Sequence, residues 1–157
     1  MSAAQARSVL VPRRRLKQRH LLLILLIPGL AIAVYANVVA SQQGLGLVPL
    51  LVFGILPHVT VLFGLGQPHA RGQLAPRAVP LFNAMHHPVV PLALLAVAAT
   101  GVLPPFWFVG ALAWLSHIVV DWAFGDGLRT ADGFLLGRFG RLIGLRAGSP
   151  EPARGSG

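Results

Sequence analysis

The chain has no cysteine among its 157 residues, and only four residues are acidic. The first absence excludes disulfide staples, thiol nucleophiles and thiolate-held zinc or iron–sulfur centres. The second leaves a formal net charge of +9 with 11% charged residues, against roughly 25% in a soluble globular domain. Charge is also missing from long stretches. No Lys, Arg, Asp or Glu falls between Arg19 and Arg71, a gap of 51 residues, or between Arg77 and Asp121, a gap of 43. Such gaps exceed the roughly 20 apolar residues that a helix needs to cross a bilayer. With 55% hydrophobic residues and a mean hydropathy of +0.71, they read as membrane spans rather than as a buried core. A P-loop, a Rossmann glycine pattern and an HExxH segment are absent as well. The basic residues flank apolar segments and come with no recognition motif, so no nucleic-acid partner is expected.

What is present can be laid out as four apolar segments, residues 21–40, 45–66, 79–100 and 106–124. Each is long enough to cross about 30 Å of hydrocarbon at 1.5 Å per residue. Backbone groups in lipid must be satisfied internally, so the segments should be helices. The expected fold is all-α: an integral membrane four-helix bundle with kinked helices and a short C-terminal interfacial segment. Residues 1–20 form a basic cytoplasmic N-terminal flank, 21–125 the four-span transmembrane domain, 126–147 an interfacial amphipathic segment and 148–157 a disordered tail. In the interfacial segment, Phe134, Leu135, Phe139, Leu142 and Ile143 recur at near-helical spacing among Arg138, Arg141 and Arg146. All 13 basic residues fall on one side of this layout, and the links 41–44 and 101–105 carry none. The positive-inside rule then places both termini in the cytoplasm. A cleaved signal ending near Val34-Tyr35-Ala36 would leave three spans, but the apolar run continues past Ala36 without a break.

Polar residues inside the spans carry the information, because each is costly in lipid. Span two holds His58, span three Asn83, His86 and His87, and span four His117 and Asp121. His58, His87 and His117 each lie eight residues from the basic end of their span, a depth of about 12 Å. Asn83 and Asp121 lie four residues in, at about 6 Å. His117 and Asp121 are i and i+4 and share a helical face. Pro57, Pro88 and Pro91 stand beside these residues, and each leaves a carbonyl four residues back without its helical partner. Kinks of this kind fit a cavity open toward the cytoplasm. Two readings stay open. The polar side chains could hydrogen-bond across helices and hold the bundle together. Alternatively His58, His86 or His87, and His117 with Asp121 form a metal site, with Asn83 hydrogen-bonded behind the ligands. Imidazole and carboxylate suit divalent zinc, iron or manganese.

From Leu56 onward the chain resembles a family of small bacterial membrane proteins known as domain of unknown function 4260, over roughly residues 21–140. The family carries a Tyr-Asn-x-x-His segment followed by proline, which here reads Phe82-Asn83-Ala84-Met85-His86 with Pro91 beyond. A second family segment, Trp-x-x-His-x-x-x-Asp followed by glycines, is matched by Trp114, His117, Asp121, Gly125, Gly127 and Leu128. Trp122 replaces an arginine, Asp126 a tyrosine and Arg129 a lysine. Pro57-His58 stands where family members tend to show Pro-Asp, and a Thr-His pair of the family is missing. The resemblance implies priority for Asn83, His86, His117 and Asp121, and for His86 over His87. It implies a bacterial inner membrane and brings no assigned activity.

These residues are compatible with two classes of function. One is a metal-dependent hydrolase at the inner leaflet, with Asp121 and His117 as catalytic residues and Arg77 and Arg129 placed to hold an anionic headgroup. The other is a non-enzymatic membrane protein, a small transporter or a structural subunit. In both, membrane lipid is the expected partner, and a second copy of the chain is expected for so small a bundle.

Overall fold

The computed structural model of the chain describes residues 3–70 and 72–136, with side chains from Leu22 onward. The 148–157 tail and residues 137–147 of the interfacial segment lie outside the described residues. The architecture is all-α, with five helices among the described residues: α1 Ala3–Gln42, α2 Val48–Val59, α3 Val79–Met85, α4 Val89–Ala99 and α5 Pro105–Phe124. A 3-10 turn, Thr60–Gly64, extends α2, and another, Pro76–Ala78, leads into α3. Helices α3 and α4 are one span broken at His86-His87-Pro88, so the arrangement is a kinked four-helix one. Three stretches are long and apolar enough to cross a membrane: Leu22–Gln42, Pro76–Ala99 and Pro105–Phe124. The fourth, Val48–Gly64, has 17 residues. Its α-helical and 3-10 parts together rise about 28 Å, close to one hydrocarbon thickness.

Local sequence sets the helix ends. Pro105 opens α5 at a position where its missing N–H costs nothing. Gly125 closes α5 in a left-handed conformation, φ +94°, with its N–H on the carbonyls of Asp121 and Trp122. The break between α3 and α4 follows from Pro88 and Pro91. Ala84's carbonyl takes the His87 N–H at 3.4 Å, and His87's takes the Val90 N–H at 3.1 Å, both one residue short of the α-helical spacing.

Helix α5 is the centre of the bundle, with α1, α2 and α4 packed around it. The α1–α5 seam is built from small residues. Gly29, Ala36 and Ala40 are buried on α1, and Ala36 and Ala40 cluster with Val109 and Leu112 of α5. A Cβ at Gly29 would lie 2.9 Å from Val120 Cγ2, so the helices cross at a distance that only glycine allows. The Ser116 hydroxyl donates to the Gly29 carbonyl at 2.8 Å across this crossing. On its other side α5 contributes Ala113, Trp114 and Ile118 to a cluster with Phe53 of α2.

Beyond α5 the chain makes a tight turn, not the start of a helix. Arg129 and Leu135 form an antiparallel bridge, and Gly133 sits at φ +87° against the Leu74 carbonyl. The expected helical placement of Phe134 and Leu135 is therefore corrected. Glycine at the turn and the docking of the 67–75 loop, through Leu74 N–H to Gly133 O at 2.9 Å and Gln73 Nε2 to Asp132 O at 2.6 Å, outweigh the near-helical spacing.

Candidate metal centre

The helix break explains how the site is assembled. His86 ends α3 with non-helical dihedrals, φ −101° and ψ 7°. The Met85 carbonyl, which a continuous helix would pair with the Val89 N–H, instead accepts the Trp114 indole N–H at 2.8 Å. Trp114 therefore clips the broken span onto α5 three residues before His117. At the other side Asn83 ties α3 to the turn after α5. Its Nδ2 donates to the Arg129 carbonyl and its Oδ1 accepts the Arg129 N–H, both at 2.8 Å. Asn83 thus fixes the frame around the ligands and does not stand directly behind one, as the spacing had led us to expect.

Within that frame three imidazoles from three elements converge. Ring centroids lie 4.5 Å apart for His58 and His117, 5.6 Å for His86 and His117, and 5.9 Å for His58 and His86. Each ring offers one nitrogen, and the three nitrogens lie within 4.8 Å of one another. Asp121 joins from α5, its Oδ2 3.2 Å from His117 Nε2 and 3.6 Å from His86 Nε2. His86 is buried, His117 and Asp121 are half-buried, and His58 is exposed.

The hydrogen bonds determine what these nitrogens can do. His86 Nδ1 lies 2.9 Å from the Phe82 carbonyl, which can only accept, so Nδ1 carries a proton. In the neutral ring Nε2 then presents a lone pair to the cluster, the arrangement usual for a histidine ligand oriented by a backbone carbonyl. The Phe82 ring stacks on His86 at 3.9 Å and 17° and holds its plane. His86 Nε2 and His117 Nε2 are both buried without a hydrogen bond. Asp121 Oδ2 is the charged atom near both, without a hydrogen bond to either. Buried polar nitrogens without partners are rare in native proteins and call for an explanation.

The other expected site residues fall elsewhere. His87, whose depth in an unbroken helix matches His58 and His117, turns away at the break. Its Nδ1 accepts the Val89 N–H at 3.3 Å, and it lines a separate groove of about 590 Å³ with Val79, Pro80, Asn83, Val90 and Leu128. Arg129 is engaged: its Nη2 lies 3.0 Å from Asp126 Oδ1, its Nη1 donates to the Gly72 carbonyl at 3.4 Å, and its guanidinium lies 5.7 Å from the Phe82 ring centroid. Arg77 is exposed on the turn before α3. The role of Trp114 as the clip was not foreseen, although a tryptophan in the middle of an apolar span signals a need for a polar neighbour.

The fold and the cluster define a polytopic helical membrane protein with a histidine–aspartate constellation inside its bundle. The chain belongs to the DUF4260 family, a domain of unknown function, which matches it over residues 23–142. No curated protein and no solved structure matches it.

Proposed function

We propose that His58, His86 and His117 hold a divalent metal ion, zinc, iron or manganese, and that the protein is a metal-dependent hydrolase acting at the inner leaflet. The observation that carries the reading is the pair of buried Nε2 atoms on His86 and His117 that make no hydrogen bond, with a third imidazole and a carboxylate beside them. Nitrogens around a tetrahedral ion at about 2.0–2.1 Å lie about 3.3 Å apart. Three nitrogens already within 4.8 Å need small side-chain rotations to reach that spacing. The chemistry of the donors, neutral imidazole with one carboxylate and no thiolate, fits these ions.

A divalent ion at this position would acidify a water molecule and polarise an ester-type oxygen. In this reading Asp121 receives the proton. It sits one helical turn from His117, with Oδ2 3.2 Å from His117 Nε2. Arg77, at the same end of the bundle, would attract an anionic headgroup. With the basic residues on one side of the bundle, both termini lie in the cytoplasm of a bacterial cell and the site sits beneath the inner face of the membrane. The surrounding partner is lipid, with a second copy of the chain packed in the membrane.

The test is elemental analysis of gently purified full-length protein. Near-stoichiometric metal that is lost in His86→Ala and retained in His87→Ala supports the reading. A folded preparation that takes up no zinc, iron or manganese would return the cluster to interhelical hydrogen bonding in a transporter or structural subunit.

A further inference from the structure

The two approaches to the cluster differ. At the basic end, the continuation of α2 closes against the turn before α3. Thr60 is 4% exposed, and its hydroxyl donates to the Pro57 carbonyl at 2.6 Å. Gly64 is buried against Ala75 so closely that a Cβ on it would lie 2.6 Å from the Ala75 methyl. Ala75 and Ala78 are themselves buried, and Phe82 covers His86. A seam that cannot take one methyl group has no room for a water-soluble substrate.

At the side, the cluster is open. Leu51, Ile55 and His58 follow one another at helical spacing along a single face of α2, which Leu62 continues into the 3-10 turn, and all four are exposed. Helices α2 and α4 both pack on α5 without extensive contact between them. His58 therefore brings a polar nitrogen to an otherwise apolar, lipid-facing stripe. Such a residue is costly unless it serves a site. It lies about 12 Å in from Gly64, at about 2.0 Å per residue for the intervening 3-10 helix, and so within hydrocarbon.

We infer that the centre is reached sideways from the bilayer past His58, and that its substrate is a lipid-soluble molecule with its reactive group beneath the headgroup layer. The inference rests on the metal reading above and narrows its substrate class.

The experiment uses full-length protein in phosphatidylcholine nanodiscs, loaded with zinc or iron(II). Bathophenanthroline and bathophenanthroline disulfonate present the same chelating nitrogens, but the sulfonates keep the second out of hydrocarbon. The lipid-soluble chelator should strip the metal at least about tenfold faster, because its apolar surface concentrates it in the bilayer. Equal rates, or faster stripping by the sulfonated form, would overturn sideways access while leaving the metal centre standing. A second measurement needs no metal. The chain has no cysteine, so His58→Cys carries a single nitroxide. Collisions with dissolved oxygen should exceed those with a water-soluble nickel chelate, as they should at Leu51→Cys and should not at Gln43→Cys. A nitroxide at position 58 that meets nickel as readily as one at position 43 would overturn the inference. A protein that binds no metal would sink the metal reading, and the nitroxide would still decide the access route.

Discussion

Ser116 and His117 are consecutive in α5, yet they face different seams of the bundle and meet opposite fates. Ser116 points at α1, is buried, and donates its hydroxyl to the Gly29 carbonyl at 2.8 Å. His117 points at His58 and His86, and its Nε2 is buried with no hydrogen bond. The α1 seam shows what this bundle does with a polar group that only holds helices together: it satisfies it. Trp114 is handled in the same way, through the Met85 carbonyl. Interhelical hydrogen bonding therefore accounts for Ser116 and Trp114, whereas the imidazole nitrogens have the Asp121 carboxylate near them but no hydrogen bond. A buried nitrogen without a hydrogen bond costs about 1–3 kcal/mol, a cost that a bound ion would relieve at His86 and His117; the third such atom among the described residues, Arg129 Nε, belongs to a side chain already held by Asp126 and the Gly72 carbonyl.

The comparison can be broken most forcefully at His117. Replacing it with alanine should lower metal affinity by more than about 100-fold, since even groups that only orient a ligand are worth 10–100-fold. Ser116→Ala should leave metal content unchanged. Elemental analysis of both variants side by side checks this, and equal metal in the two would erase the distinction between the seams.

Gly29→Leu attacks the other seam. The side chain would be driven into Val119 and Val120, and overpacking of this kind costs about 1–3 kcal/mol. Reversible unfolding in mild detergent should show that loss. Unchanged stability would mean that the crossing is looser than its geometry implies.

A finer test concerns whether His117 and Asp121 act together. Their separation of 3.2 Å predicts that His117→Ala and Asp121→Ala are not additive in metal affinity, with a coupling of about 0.5–3 kcal/mol in a double-mutant cycle. Strict additivity would place Asp121 outside the unit. Trp114→Phe should cost about 1 kcal/mol of stability through the lost N–H bond to Met85, with metal still bound. The smallest effect belongs to Ser116→Ala, about 0.6 kcal/mol, the average for a hydrogen bond between membrane helices.

Much of this fold was legible without coordinates. Charge-free stretches of 51 and 43 residues leave few options besides lipid-embedded helices, and the helices fall close to the expected segments. The grouping of His117 with Asp121 followed from their i, i+4 spacing alone. His87 was harder to place. Counting depth at 1.5 Å per residue assumes an unbroken helix, and Pro88 and Pro91 break it at that very residue. The Asn83-His86 pattern shared with the family pointed to the histidine that lies beside His58 and His117, where the depth count pointed to His87. The turn after α5 was misjudged because the apolar spacing of Phe134 and Leu135 says nothing about the distant loop that docks on Gly133.

Membrane residence, the number and bounds of the apolar segments, and the short list of polar residues within them are consequences of composition and spacing. Local rules suffice there, because lipid penalises each buried charge and each unpaired backbone group one residue at a time. Which of those polar residues meet, which are satisfied and which are left with a lone pair facing a neighbour depend on rotations about helix breaks and on contacts between residues far apart in the chain. Trp114 reaching Met85, Asn83 reaching Arg129 and Phe82 stacking on His86 set those rotations. Only the packed bundle could decide that His86 turns inward with Nε2 free while His87 turns out.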